Sequence, residues 1–284
     1  MDNIGIIGFG FLGRALAHGF SLTTNIKIYD AYDNNYDTIE DTVNSSDFIM
    51  VGVPTPMYSD GQQDLSNMDD AVENIARVAE SKKIIVLRST SIPGTTRNYA
   101  EKYSDHVFIF QPEFLTERSS KLDFINAARI IIGHDPDEDL YAKEVERLYR
   151  IRFPHTPIYL TTWEAAEVVK YMCNTFFAIK ISFLNEIYDI AEHINVPFED
   201  LKKMFLADGR IGNSHTDVPG HDGYRGYGGK CFPKDVLAFV RWAESKGLSA
   251  DMCKAANEVN ERIRDAKDWL DIKGATSDND YKLR

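Results

Sequence analysis

Cysteine is scarce in this sequence. Among 284 residues there are three, Cys173, Cys231 and Cys253. Their number and scatter exclude a disulfide framework and a zinc site, and they fit a reducing, cytoplasmic compartment. Positive charge is also in deficit: 32 Lys and Arg stand against 44 Asp and Glu, a formal net charge of −12. A surface that neutralises phosphates needs clustered cations, so nucleic acid is not an expected partner. No apolar run approaches the ~20 residues that span a bilayer. The start, Met1-Asp2-Asn3-Ile4, lacks the basic and apolar regions of a signal peptide, so no membrane partner is expected either. Internal repeats and low-complexity tracts are absent. What remains is a globular composition, 43% hydrophobic and 27% charged. At roughly 100–200 residues per domain, it forms one large domain or two ordinary ones.

Short apolar runs at residues 3–7, 26–29, 48–53, 84–87, 107–110, 130–132 and 158–160 read as buried strands. Helical periodicity lies between several of them, notably over residues 69–80, 95–103 and 138–149. Strands alternating with helices predict an α/β domain over residues 1–160, a Rossmann-like, doubly wound and mainly parallel sheet. From residue 162 to about 195 there is neither proline nor glycine, and Ala166, Val169, Cys173, Phe176, Phe177, Ile181 and Leu184 recur at helical spacing. A helix of that length spans about 50 Å. Such helices join domains or pack against a partner subunit. Beyond it the sequence predicts helices at 198–206, 236–246 and 251–270, with a glycine-rich loop at 208–230. Residues 161–272 are thus expected to form the long connecting helix and an all-helical domain, and 273–284 a frayed polar tail.

After the first strand comes Gly8-Phe9-Gly10-Phe11-Leu12-Gly13, followed by a helical pattern through Leu12, Ala15, Leu16 and Phe20. Gly8 permits the tight turn, Gly10 lets a pyrophosphate approach the backbone, and Gly13 allows close helix–strand packing. The helix N-terminus adds free N–H groups and a partial positive charge. Asp30, at the end of the second strand, stands where a carboxylate holds the ribose hydroxyls. An acid there repels a 2′-phosphate, so NAD is the expected cofactor. The alternative is an ordinary turn with a solvated Asp30.

Three loops at the carboxyl ends of predicted strands carry unusual chemistry: Val53-Pro54-Thr55-Pro56, Ser89-Thr90-Ser91-Ile92-Pro93-Gly94-Thr95, and Gln111-Pro112-Glu113-Phe114-Leu115-Thr116-Glu117. Open α/β sheets bind ligands at that edge. The plainer alternative is turn and capping chemistry, with Thr95 as an N-cap. A fourth stretch runs Gly223-Tyr224-Arg225-Gly226-Tyr227-Gly228-Gly229-Lys230-Cys231-Phe232-Pro233-Lys234-Asp235. Its glycines permit close backbone approach to a ligand. Cys231 precedes a proline suited to a first helical turn, and Lys230 and Lys234 flank it. A thiol so placed favours its thiolate, the form that acts as a nucleophile. Cys173 and Cys253 read as small buried hydrophobes. On the long helix Lys170 and Asn174 share a face, and Glu167 stands one turn before Lys170, where a surface ion pair is the plainer reading.

These segments, in this order, resemble the UDP-glucose/GDP-mannose dehydrogenase family from residue 3 to about 265, most specifically in the run that ends at Asp235. The resemblance implies oxidation of a sugar's primary alcohol to a carboxylate with two NAD molecules, the sugar carried on a nucleotide, UDP-glucose first. Cys231 would trap the aldehyde as a thiohemiacetal, and a second hydride transfer would leave a thioester for water. Asp235 and Lys170 would position water and handle protons or the oxyanion, Asn174 would hold the oxyanion, and Glu113 and Thr90 would assist the water steps. Cofactor contacts are implied for Gly8, Gly10, Phe11, Leu12, Gly13 and Asp30, and for Val53, Pro54, Thr55, Thr90, Glu117 and Lys234. The nucleotide-sugar side is implied for Phe114, Leu115, Thr116 and Glu117, for Lys170 and Asn174, and for Arg210, Tyr227 and Gly228. Arg210 would reach across a homodimer built on the long helix. No metal is implied.

The sequence departs from that family in three places. Family members continue into a further α/β domain that grips uridine and diphosphate, and this sequence ends before it. Less chain than usual lies between Asp30 and Asp47, and Lys230 replaces the usual serine before the cysteine. A complete catalytic set with weakened nucleotide-sugar binding is the expectation. Two other readings stay open. A β-hydroxyacid-type dehydrogenase needs the helical lysine but no thiol, and a non-catalytic NAD-binding subunit needs a partner chain.

Overall fold

The computed structural model describes residues 1–278 and 280 and divides into two compact units. Unit 1 comprises Met1–Thr55 and Asp64–Lys170; unit 2 comprises Pro56–Gln63 and the chain from Tyr171 onward. The division falls inside a helix rather than at residue 160, and a short early segment belongs with the later residues.

The strands of unit 1 are β1 (Asp2–Ile7), β2 (Thr24–Tyr29), β3 (Phe48–Val51), β4 (Ile84–Leu87), β5 (Val107–Phe110), β6 (Ile130–His134) and β7 (Ile158–Thr162). They form one sheet in the order β2-β1-β3-β4-β5-β6-β7. Every neighbouring pair is parallel except β5 and β6, which meet antiparallel at Phe110 and Gly133. The helices are α1 (Phe11–Phe20), α2 (Ile39–Asn44), α3 (Ser66–Val78), α4 (Thr95–Lys102), α5 (Ser120–Ile125), α6 (Asp139–Arg152) and the first two turns of α7 (Trp163–His193).

The strands are apolar almost throughout because both faces of a parallel sheet are covered. Ile4 and Ile6 point into a core with Leu16, Phe20, Phe124 and Tyr149, while Ile7, Ile49, Val51, Ile85 and Leu87 point into another with Val72, Ile75 and Tyr99. β3 stops at Val51 rather than 53. Beyond it the Val53 carbonyl accepts from the Ser89 hydroxyl at 2.6 Å, and Pro54 has no N–H to continue a ladder. β1 lies between β2 and β3, so the loops leaving β1 and β3 diverge at the topological switch point where such sheets bind ligands.

Unit 2 holds the rest of α7, α8 (Phe198–Leu206), α9 (Phe232–Ser245) and α10 (Asp251–Ile263). The 31 residues of α7 span about 46 Å at the helical rise. Among the described residues no helix is long and apolar enough to cross a membrane. α9 begins at Phe232, earlier than 236, because Pro233 suits a first turn and Asp235 complements the helix dipole there. α10 ends at Ile263 instead of running to 270: Arg264 turns extended, and its guanidinium is held by Asp222 and Asp268. Residues 273–278 of the expected tail are not frayed. Ala275 is buried beside Met57 and Trp269; the Met57 amide donates to the Ala275 carbonyl at 3.0 Å and the Ser277 amide to the Met57 carbonyl at 2.8 Å. These bonds also explain why residues 56–63 belong to unit 2. Positions 279 and 281–284 of the expected tail lie outside the described residues.

Candidate active site

The three glycines of the β1–α1 turn have three separate causes. Gly8 has φ +91°, the left-handed region, and a Cβ there would stand 2.6 Å from the Gly52 carbonyl oxygen. A Cβ at Gly13 would stand 2.3 Å from the Gly8 oxygen, so helix and turn touch. At Gly10 nothing lies within 4 Å of where a Cβ would be, and no side chain caps the helix that follows. The open side and free N–H groups are what an approaching phosphate requires. Leu12 is buried in the core beneath the turn, and Phe11 is half-buried.

Asp30 is not simply solvated. Its carboxylate accepts from the Phe9 amide at 2.7 Å and from the Tyr32 amide at 2.9 Å, which fixes it beside the glycine turn. Gly8, Asp30, Tyr32, Val53, Pro54 and Asn67 are among the residues lining a cavity of about 120 Å³. A crevice with an open glycine, unsatisfied helix N–H groups and a fixed carboxylate fits NAD.

The neighbouring loops are knitted together. The Thr55 hydroxyl donates to the Thr90 carbonyl at 2.9 Å, and both residues are buried. Thr95 is the first residue of α4 and not its cap; the cap position is Gly94, in left-handed conformation at φ 97°. A distant carboxylate does the capping. Glu167 accepts from the Gly94 amide at 2.7 Å, the Thr96 amide at 2.9 Å and the Thr96 hydroxyl at 2.7 Å, and it is fully buried. The expected surface pair of Glu167 with Lys170 therefore does not form.

Burial is the largest influence on the Glu167 carboxyl and pushes its pKa from 4.5 up to about 7, against the three donors, which favour the charged form. The folded chain thus keeps a proton that the unfolded chain has lost. As far as this group is concerned, stability is greatest below pH 4.5 and declines as pH rises to about 7, by about 3 kcal/mol. Glu167→Gln is expected to flatten this part of the profile of urea midpoint against pH. An unchanged slope would assign it to another group.

Lys170 reaches Glu113 instead. Its ammonium donates to one Glu113 oxygen at 2.9 Å, and the Leu115 amide donates to the other at 2.6 Å. Both side chains are buried, and the ammonium lies 5.6 Å from the Phe114 ring centroid. Thr116 and Glu117 are exposed, with the Thr116 amide tied to Asp123 at 2.7 Å. Sequence reasoning missed the support beneath this loop. Buried Arg88 and Tyr149 both bond the Gln111 side-chain oxygen, and the Gln111 side-chain Nε2 donates to the Pro112 carbonyl at 3.1 Å. Nothing local in the sequence marks these partners.

In unit 2, Cys231 is partly exposed at the residue before α9, and its carbonyl accepts the Asp235 amide at 3.0 Å. Asp235 is buried. Its carboxylate accepts from the Asn174 side-chain amide at 2.6 Å and from the Lys234 ammonium at 2.5 Å. The charge of Lys234, expected to act on the thiol, is thus engaged by Asp235. Tyr227 is buried, with its amide and carbonyl both bonded to Asn260. Arg210 is exposed and paired with its neighbour Asp208 at 2.5 Å. Cys253 is buried as expected, whereas Cys173 is half-buried; none of the three forms a disulfide.

A glycine turn at the switch point of a doubly wound sheet, a carboxylate fixed at the end of β2 and a helical unit following define the NAD-binding, Rossmann-type class. The chain belongs to the UDP-glucose/GDP-mannose dehydrogenase family: residues 30–152 match its NAD-binding domain and residues 164–262 its central domain. A UDP-glucose 6-dehydrogenase of Rhizobium meliloti is 32% identical over 242 residues, which cover 82% of this chain and 54% of that protein. A UDP-glucose dehydrogenase structure from Pyrobaculum islandicum superposes with a TM-score of 0.83 at 28% identity, covering 92% of this chain and 68% of that one. The 3-hydroxyisobutyrate dehydrogenase of Mycobacterium tuberculosis shares the fold, with TM-score 0.74 at 14% identity over 100% and 99% of the two chains. The chain spans about half the length of the curated relatives it matches.

Proposed function

We propose that the chain is an NAD-dependent dehydrogenase that oxidises a nucleotide sugar, UDP-glucose foremost, to its uronic acid, and that it corresponds to the NAD-binding and central domains of UDP-glucose 6-dehydrogenase. The observation that carries this reading is the buried Asn174–Asp235–Lys234 group beside Cys231. A dehydrogenase that stops at aldehyde or ketone has no use for a thiol there, and so the β-hydroxyacid alternative leaves this group unexplained. The names of relatives such as the Rhizobium meliloti protein support the choice of sugar.

When bound, NAD would supply the hydride acceptor for each of the two oxidations. The chain's own residues supply the rest. The Lys170 ammonium stabilises the alkoxide of the alcohol, held in place by Glu113. The Cys231 sulfur adds to the aldehyde carbon, and the proton goes to the carbonyl oxygen, giving a thiohemiacetal. Loss of hydride and a proton from it leaves a thioester at Cys231. Asp235, with Glu113 and Thr90, orients the water that releases the acid and returns the thiol, while Asn174 and Lys170 stabilise the tetrahedral oxyanion. Asp30 excludes a 2′-phosphate and selects NAD. A nucleophilic thiol must stay reduced, which suits the cytoplasm.

Met172, Phe176, Phe183 and Ile190 along α7, and Ile194 just after its end, are exposed at spacings that keep them on one stripe. We assign that stripe to a homodimer interface, which would let Arg210 reach a neighbouring protomer's sugar. The test is one preparation of the intact chain. Incubated with NAD and UDP-glucose, it is expected to form two NADH per acid, and by light scattering to have twice the 32.3 kDa chain mass. NAD binding without turnover on UDP-glucose would overturn the choice of sugar, and a chain-mass particle would overturn the dimer.

A further inference from the structure

Two glycines of the motif before Cys231 are occupied by protein. A Cβ at Gly226 would stand 2.3 Å from the Asn260 Oδ1, and one at Gly228 would stand 2.2 Å from an Arg264 nitrogen and 2.3 Å from an Asp268 oxygen. Nothing lies within 4 Å of a Cβ at Gly223 or Gly229. The glycines at 226 and 228 are therefore required by side chains arriving from α10 and the turn after it.

Those side chains recur every fourth residue and grip the loop backbone at alternate positions. Asn260 takes both polar groups of Tyr227, accepting from its amide at 2.7 Å and donating to its carbonyl at 2.9 Å. Asp268 accepts from the Gly229 amide at 2.8 Å. Arg264, fully buried, donates to the Arg225 carbonyl at 3.3 Å, to the Ala266 carbonyl at 2.9 Å, and to Asp222 and Asp268 at 2.8 Å each. One planar fork satisfies two carboxylates and two carbonyls at once, which an ammonium cannot do. Arg264 and Asp268 also lie beyond residue 262, where the match to the family's central domain ends.

We propose that Asn260, Arg264 and Asp268 are positioning residues that hold the loop at 225–229 and thereby set the direction from which Cys231 meets the substrate carbonyl. The proposal rests on Cys231 being the nucleophile. None of the three touches the reacting atoms; they act through the backbone of Lys230, the one residue between Gly229 and Cys231.

The test uses Arg264→Lys and Asp268→Asn in the intact chain. Three quantities are read: the rate of iodoacetamide alkylation at Cys231, resolved from Cys173 and Cys253 by peptide mass spectrometry; the thermal midpoint; and kcat with KM for NAD. Alkylation is expected to change by about threefold or more. The kcat is expected to fall on the order of 10- to 100-fold, as small misplacements of a reacting group do. KM for NAD should hold, since none of the three residues is among those assigned to the cofactor, and the charge-preserving lysine should not rescue. Folded variants with wild-type alkylation and wild-type kcat would overturn the proposal and leave the contacts as packing alone. Should Arg264→Lys fail to fold, Asp268→Asn decides, because asparagine keeps the size and an acceptor for Gly229. Absence of turnover by the unmodified chain would count against the function itself, while the alkylation rates would still judge the clamp.

Discussion

Replacing Cys231 by alanine is expected to abolish acid formation, by at least ~10³-fold, while NAD binding is retained. The loss should be chemical rather than structural. Cys231 is partly exposed at a helix start, and trimming one sulfur there costs about 1 kcal/mol or less. Without the thiol, the aldehyde carbon cannot become the thiohemiacetal from which a second hydride leaves, so the reaction halts after two electrons. The measurement is acid and NADH per sugar consumed, beside a titration of NAD binding. A β-hydroxyacid-type dehydrogenase or a non-catalytic subunit would lose nothing in this variant. Acid formation within tenfold of the unmodified chain would remove Cys231 from the mechanism.

Lys170→Met is expected to be both inactive and markedly less stable, and the two effects can be separated. Removing the ammonium strands the Glu113 carboxylate, which is 7% exposed, with only the Leu115 amide remaining of its two hydrogen-bonding partners. An uncompensated buried charge costs about 3–5 kcal/mol, visible as a lower urea midpoint. In the double variant Lys170→Met with Glu113→Gln no charge is left unpaired, and glutamine can still accept from Leu115. Stability should therefore return most of the way, giving a large favourable coupling in the cycle. Turnover should not return, because the cation that stabilises the oxyanion is still missing; a loss on the order of 10²–10⁴-fold persists. A double variant as unstable as the single one would show that the ion pair is not the source of the destabilisation.

The features legible in the sequence were those whose cause is local. The strand cores at 84–87 and 107–110 and the helix α8 match the observed elements, because apolar periodicity is set by contiguous residues. The β1–α1 turn was legible for the same reason: left-handed backbone at Gly8 and close packing at Gly13 admit no other residue. The continuous run without proline or glycine announced α7.

What the sequence could not determine was the partner of each charged group. Lys170 has Glu167 one turn away yet pairs with Glu113, 57 residues distant, and Glu167 caps a helix 71 residues away. Lys234 sits near the thiol yet binds Asp235, which also holds Asn174 from 61 residues away. The boundary inside α7, the docking of Ala275 beside Met57 and the filling of Gly228 by Arg264 belong to the same group. Spacing along the chain fixes which backbone shapes are allowed. Only packing decides which buried donor meets which buried acceptor, because an unpaired one inside the protein costs more than any local preference.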